Sequence, residues 1–483
     1  MTTLLSSEVH DEILDIQEPH LFDESISSMH YYEYTPQTQA NNNTEGHQIS
    51  ITINNQDIYV LPARSYLKFK GQIKRADNGT VYNADAEIAL INNAMMYLFT
   101  NIKYELGSTT LESIRNPGPS TSMIGYLSYP DDFNTSASLK MCWSKDTTNN
   151  ASSIKYTASV AAPAAGYIPA ESATYNVGFA TRKGFLFSSD PRGCFEFHVP
   201  LTHIFGFAEY RKVIYGLKHT LTLTRTSDTQ ALYRADAVNN GKVDLTEISW
   251  HMPQIQMTPE YLAGLRSVIE QKSILPLAFR ARTCEQTVMP QTLNNTWRLS
   301  VTGGIEKPRY IIIGFQTARI NTQQQNPACF DHLNLKNVCV MLNSEKYPLS
   351  DVITNFARNE YSTLYDMFDN FKTNYYGIDS LVGGTQVNVA AFKSLYPIIV
   401  LDVRKQNERL KTGVTDIQVR FEFRDVVPAD TTAYAVILSD RFYKLSSDGK
   451  NMSVISIKKF IYFFLPLYNG DKGYRAFDLL FEM

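Results

Sequence analysis

At 483 residues the chain is long enough for two domains of roughly 200 residues, each able to bury a core of its own. A formal net charge of −3, with no strongly basic stretch, excludes a dedicated nucleic-acid-binding domain and leaves only local contacts with a polyanion. Charged residues make up 19% against the usual ~25%, while 29 Tyr and 26 Phe give the aromatic composition of β-sheet. Five cysteines (Cys142, Cys194, Cys284, Cys329, Cys339) form no CxxC pair and have no His at metal-ligand spacing, so they read as free thiols in a reducing compartment.

From the N-terminus, residues 1–46 read as an arm. Residues 8–18 form a short acidic helix with Val9, Ile13 and Ile16 on one stripe, and 36–46, rich in Gln and Asn, form a flexible polar linker. With Glu8, Asp11 and Glu12 and no basic start, the opening is not expected to act as a secretory signal. The arm is either disordered or ordered against a neighbouring subunit.

Residues 47–257 read as a first β module. Ile49, Ile51 and Ile53 alternate with polar residues within 48–60, and Leu67, Phe69 and Ile73 mark a strand over 66–73. Strand-like runs follow at 87–91, 95–107 and 108–114, then a short helix around 122–129, and strands at 195–199, 219–225 and 247–256. The segment 130–175 is dominated by Ser, Thr, Asn and Ala and has no period. It is too long for a turn and is expected to decorate an outer surface, as is 377–388.

Residues 258–273 read as a connector helix, with Thr258 as N-cap, Pro259 at N1 and Glu260 at N2. Leu262, Leu265, Val268 and Ile269 share one face. A second module, 274–452, has strands at 280–288, 296–302 and 308–318, where 310–315 (YIIIGF) is apolar on both faces and belongs between two layers. Strands at 333–343 and 344–351, a helix at 361–376, and strands at 396–404, 417–424 and 433–441 complete it. In 417–424 (IQVRFEFR), Ile417, Val419, Phe421 and Phe423 point one way and Gln418, Arg420, Glu422 and Arg424 the other. The tail 453–483 includes an apolar run, 454–468, interrupted by Lys458, Lys459 and Pro466. It is too short for the ~20 apolar residues of a membrane span, and serves either as a last strand or as an inward-facing tail touching a subunit or a lipid layer.

The order strand, strand, helix, then three further strands occurs twice. About eight strands per module with a helix inserted suits a jelly roll better than an immunoglobulin sandwich. Two such modules in tandem suggest a shape-giving building block more than a catalyst.

No G-x-S-x-G, P-loop or H-E-x-x-H is present. Gly303-Gly304 and Gly383-Gly384 read as turns. His198 and His203 flank Pro200 and could hold a metal, but a packed or surface pair accounts for them more simply. Asp366 and Asp369 could do acid–base work or hold a cation, yet lie on the polar face of a helix opposite Leu364, Tyr365, Phe368 and Phe371. The mixed charges of 402–405 and 420–424 suit pairing between subunits. The chain is therefore expected not to be an enzyme and to have no catalytic, cofactor or metal site.

The stretches 308–316 (PRYIIIGFQ), Phe330-Asp331-His332, 342–348 (LNSEKYP), 361–368 (YSTLYDMF) and 428–434 (PADTTAY) resemble proteins of Polinton/Maverick elements and adintoviruses. Phe205-Gly206-Phe207 with 212–225 resembles the same family in the first module, and the likeness spans 48–445. That family looks like double jelly-roll major capsid proteins. The resemblance implies an all-β fold of two tandem eight-stranded antiparallel jelly rolls joined by a short helix. It implies a homotrimer forming a pseudo-hexameric capsomer, neighbouring capsomers that tile an icosahedral shell around double-stranded DNA, and a single jelly-roll penton partner. It also implies a place in the virion and no sequence-specific nucleic-acid binding, and leaves contact with a membrane open. A host-domesticated jelly roll binding carbohydrate or protein is the alternative.

Overall fold

The computed structural model describes residues 25–38, 42–54, 57–156, 170–271, 274–299, 308–378, 384–406, 415–447 and 452–456. Alternation of apolar and polar residues becomes antiparallel ladders throughout. His219–Arg225 turns His219, Leu221, Leu223 and Arg225 inward and its three threonines outward, and it pairs with Gln48–Ile53 on one side and Phe99–Leu106 on the other.

Eight principal strands build each sandwich among the described residues. In the first, Ile26–Tyr34, Gly241–Met257, Tyr66–Arg75 and Cys194–Pro200 lie side by side, facing Gln48–Ile53, His219–Arg225, Phe99–Leu106 and Thr109–Arg115. In the second, Leu275–Val288, Thr431–Ser447, Pro308–Thr317 and Ile399–Asp402 face Asn294–Leu299, Ile417–Phe423, Leu335–Leu342 and Glu345–Tyr347. Counted along the chain, both sandwiches order their strands first-eighth-third-sixth over second-seventh-fourth-fifth. This is the jelly-roll order, written twice.

The core follows the alternation. Ile417, Val419, Phe421 and Phe423 are buried, and Arg420 on the other face is exposed. Phe315 joins the two sheets of the second sandwich, edge-on to Phe421 at 5.3 Å and to Phe423 at 5.7 Å. The strand Pro308–Thr317 is buried on both faces because the helix Ser362–Tyr376 covers its outer side, with the Phe371 ring 5.0 Å from Tyr310.

Several expectations need correction. The arm assigned to 1–46 contains the first strand of the first sandwich: Ile26–Tyr34 pairs with Gly241–Met257. Of its larger side chains only Met29 and Tyr34 are even half-buried, so no alternation announces it, and the backbone ladder holds it. Within 36–46, Asn43 is tied down rather than loose, donating to Asp244 (2.8 Å) and accepting from the Leu245 N–H (2.7 Å). The run 95–107 is a turn of helix, Ala94–Tyr97, followed by a strand. The helix expected at 122–129 starts earlier, as Pro117–Ser128, and a second helix, Val177–Phe187, was not expected; Asn176 caps it, accepting from the Phe179 N–H.

The connector is the helix Pro259–Glu270, with Thr258 at the N-cap position but making no side-chain cap; of its four apolar residues only Ile269 is buried. Of the tail, Met452–Ser456 adds a strand to the end of Thr431–Ser447; residues 457–483 and the expected helix at 8–18 lie outside the described residues.

Truncating the ring that bridges the second sandwich should be costly. Phe315→Ala is expected to lose about 3–5 kcal/mol. Urea unfolding checks it, and a loss under about 1 kcal/mol would show that the two sheets do not depend on this contact.

Candidate functional site: the seam between the sandwiches

In both sandwiches the long connection from the fifth strand to the sixth carries the helices, and these connections meet. The helix Pro117–Ser128 lies against Ser362–Tyr376, with the loops on either side filling the space between. Pro117 supplies a fixed φ at the helix start. Glycines let the partners approach: a methyl group at Gly125 would collide with the Trp143 ring, and one at Gly118 with the Tyr97 ring.

Residues 130–175 and 377–388 were expected on the outside as loops unable to build core. Part of each does the opposite. Met141, Cys142 and Trp143 are buried, as are Gln386 and Val387. Gln386 donates to the Gly125 carbonyl (2.7 Å), and its carbonyl oxygen accepts from Asn134 (3.1 Å). Small and polar residues succeed here because their polar atoms find hydrogen-bond partners, some within the same sandwich and some, such as Asn134 with Gln386, across the seam. Residues 157–169 and 379–383 lie outside the described residues, whereas Ile154 and Tyr156 are exposed.

Two buried carboxylates organise the contact. Asp146, wholly buried, takes Arg182 on one oxygen (2.7 Å) and the Asn326 amide on the other (2.9 Å). Arg182 is itself held by the carbonyls of Leu90 and Ser144, and Tyr396 donates to the Asp146 carbonyl (2.9 Å). Arg182 comes from the first sandwich, Asn326 and Tyr396 from the second. Glu112 accepts backbone N–H groups from Phe207 (2.7 Å) and Gly206 (3.3 Å) of the first and Arg282 (2.6 Å) of the second. Burial pushes its carboxyl above the usual range, against the opposing pull of the Arg282 and Phe207 N–H groups. The Arg282 side chain then donates to the His203 carbonyl (2.8 Å) and pairs with Glu209 (3.1 Å).

The two histidines flanking Pro200 part company. His203 is buried in the seam between Tyr129 (2.7 Å at Nδ1) and the Asn93 carbonyl oxygen (3.0 Å at Nε2). Because the Asn93 amide nitrogen donates to Thr121 and Ser122, Nε2 must carry the proton and Nδ1 accepts from Tyr129. Burial, reinforced by Arg282, pushes this imidazole down to about 3. His198 is on the outer face, stacked 4.8 Å from Tyr66. They share no ligand.

Asp366 is exposed and Asp369 half-buried on the solvent side of their helix. Of the charges expected to pair between subunits, four find partners within the chain: Asp402 binds Arg404 (2.7 Å), Glu422 binds Lys336 (3.2 Å), and Arg424 donates to the Thr354 carbonyl (2.7 Å). Among the described residues no group of three or more His, Cys, Asp or Glu could hold a metal. Burial pushes the Cys142 thiol up to about 12, away from thiolate chemistry. What this arrangement does is hold two sandwiches in one relative position, beside a cleft of about 480 Å3 that opens next to His203.

Comparison with known proteins agrees with the strand order. Residues 169–443 match the double jelly roll-like domain family. Among solved structures, the chain is similar to a protein of the Sputnik virophage solved by cryo-EM (TM-score 0.55, 11% identity, 94% of each chain covered). It is similar to the Faustovirus major capsid protein (TM-score 0.53, 11% identity, 90% of this chain and 92% of that one). It is also similar to VP54 of PBCV-1, fitted into a reconstruction of Sputnik (TM-score 0.52, 9% identity, 90% and 98%). No curated protein matches the sequence.

Two measurements probe the seam. Arg182→Ala strands a buried Asp146 without its cation and is expected to cost about 3–5 kcal/mol, whereas removing both charges with apolar replacements should restore most of it. His203 and His219 are both pushed down to about 3 when folded, from 6.5. They take up protons on unfolding, so their stabilisation is complete above pH 6.5 and is lost as pH falls toward 3. Each contributes up to about 1.4 kcal/mol per pH unit in that window. His203→Gln should flatten the decline in urea midpoint below pH 6.5; an unchanged slope would remove His203 from the account.

Proposed function

This chain belongs to the double jelly roll-like domain family, and we propose that within it the chain is a major capsid protein, the repeating subunit of a viral or virus-derived shell. The observation that carries the reading is the seam. Two sandwiches of identical strand order are joined through buried hydrogen bonds into one rigid brick. A brick with two equivalent lobes contributes two corners to a six-cornered tile, so three copies closing around a three-fold axis make a pseudo-hexameric capsomer. Such tiles pack into an icosahedral shell around double-stranded DNA in the virion. The resemblance to Polinton/Maverick and adintovirus proteins favours an element of that kind as the source, with a single jelly-roll protein at the five-fold vertices. Catalysis has no part in this role.

The described surface supplies material for subunit contacts. Val288 (71% exposed), Leu293, Ile353 and Val426 (57%) gather around one end of the strand Ile417–Phe423. The Leu293 carbonyl accepts from the Phe423 N–H and the carbonyl next to Ile353 from Arg424. Apolar groups clustered at an exposed sandwich end mark an interaction surface.

Native mass spectrometry of the purified chain should show a trimer, with each protomer burying more than the ~1,600 Å² of a standard interface. Val426→Asp is expected to weaken it at least tenfold, about 1.4 kcal/mol, while leaving the circular dichroism spectrum unchanged. A stable monomer that binds a glycan on an array would instead favour a jelly-roll lectin.

A further inference from the structure

The cleft beside His203 carries an excess of positive charge, with Glu209 its one carboxylate among the described residues. Its walls come from both sandwiches: Leu61 and Arg64 from the turn before Tyr66–Arg75, Ile124 from the seam helix, Arg211 from the loop after Glu209, and Arg282 from the second sandwich. Arg282 spends one Nη on Glu209 and the other on carbonyl oxygens, while its buried Nε has no partner. Arg64 and Arg211, exposed at the mouth, pair with no carboxylate among the described residues. Three guanidinium groups against one glutamate, over an apolar floor, suit an amphipathic segment rich in carboxylates.

The chain contains one. Residues 8–18 carry Glu8, Asp11, Glu12, Asp15 and Glu18 with Ile13, Leu14 and Ile16 between them, and no Lys or Arg precedes Arg64. The described chain begins at Ser25, and four residues on Met29 touches Arg64 (Sδ to Nη1, 4.0 Å), while Tyr31 donates to the Arg64 carbonyl (3.3 Å). The first strand therefore passes the rim of the cleft at Met29 and Tyr31, shortly after its start at Ile26. The six residues between 18 and 25 can span more than ~20 Å when extended, enough to turn back into it.

We propose that the cleft is the docking site of the chain's own acidic segment, residues 8–18, with its carboxylates on Arg64 and Arg211 and its apolar stripe on Leu61 and Ile124. Docking fastens the start of the first sandwich across the seam, and it is electrostatic enough to be released by salt.

Hydrogen–deuterium exchange of the full-length chain, read by mass spectrometry, tests it against the free 8–18 peptide. The segment should exchange at least about tenfold more slowly in the protein, and the combined substitution Arg64→Glu, Arg211→Glu should abolish that protection while leaving the strand Tyr66–Arg75 unchanged. High salt should act like the substitution. If the arginine variant loses protection throughout, Asp11→Asn with Glu12→Gln and Asp15→Asn asks the same question from the other side. Equal exchange in peptide and protein, or protection that survives either charge change, overturns the proposal. So does protection that rises with protein concentration, which would place the segment in the cleft of a second copy.

Discussion

Asp146 has both carboxylate oxygens committed, one to each half of the molecule. Taking such a charge out of water costs several kcal/mol, and only a complete set of partners recovers it. That set exists in one arrangement of the two sandwiches. An apolar seam could slide by a residue or two and still be buried. A carboxylate between Arg182 and Asn326 cannot, because a small displacement leaves an unpaired charge in a dry interior. Glu112 repeats the logic with backbone donors, which no side-chain rotation can reposition. The polar groups set the angle between the lobes, and the apolar groups around them, Trp143, Tyr126 and Tyr396 among them, supply the burial.

Duplication alone would not have produced this. Two jelly rolls tethered by the exposed helix Pro259–Glu270 would move freely about it. The lobes are fixed because both sandwiches carry a helical insertion at the same point, between fifth and sixth strands, and the insertions pack against each other. The connector helix marks the join in the chain, while the insertions make the join in space.

Legibility in the sequence tracks burial on one face. Strands with one wet side, such as Ile417–Phe423 and His219–Arg225, announce themselves by alternation, and so does the doubly covered YIIIGF by its lack of any polar residue. The helix Ser362–Tyr376 shows its stripe. What escapes is structure whose reason lies elsewhere in the chain. The strand Ile26–Tyr34 has little to bury and forms because an edge of Gly241–Met257 is open to it. The helix Pro117–Ser128 is surrounded on every side, so its sequence of Pro, Gly, Ser and Thr carries no period. The seam residues of 130–146 look like surface because serine, asparagine and aspartate ordinarily are. Nothing local says that Asp146 will meet Arg182 and Asn326. The resemblance to double jelly-roll proteins named the architecture, and it carried no information about which side chains hold the halves together.

The separations along the chain have a consequence during synthesis. Glu112 meets the Arg282 backbone across 170 residues, and Asp146 meets Asn326 across 180. At about 5–20 residues per second, a ribosome needs on the order of 10–40 seconds to deliver the second partner after the first has emerged. Only when residue 257 has emerged does the first sandwich have all eight of its strands, and until Arg282 and Asn326 follow it presents an unfinished flank of aromatic rings around solvated carboxylates. The hydration that makes those carboxylates costly to bury also keeps the flank wet, and so guards it against premature contact with another nascent chain.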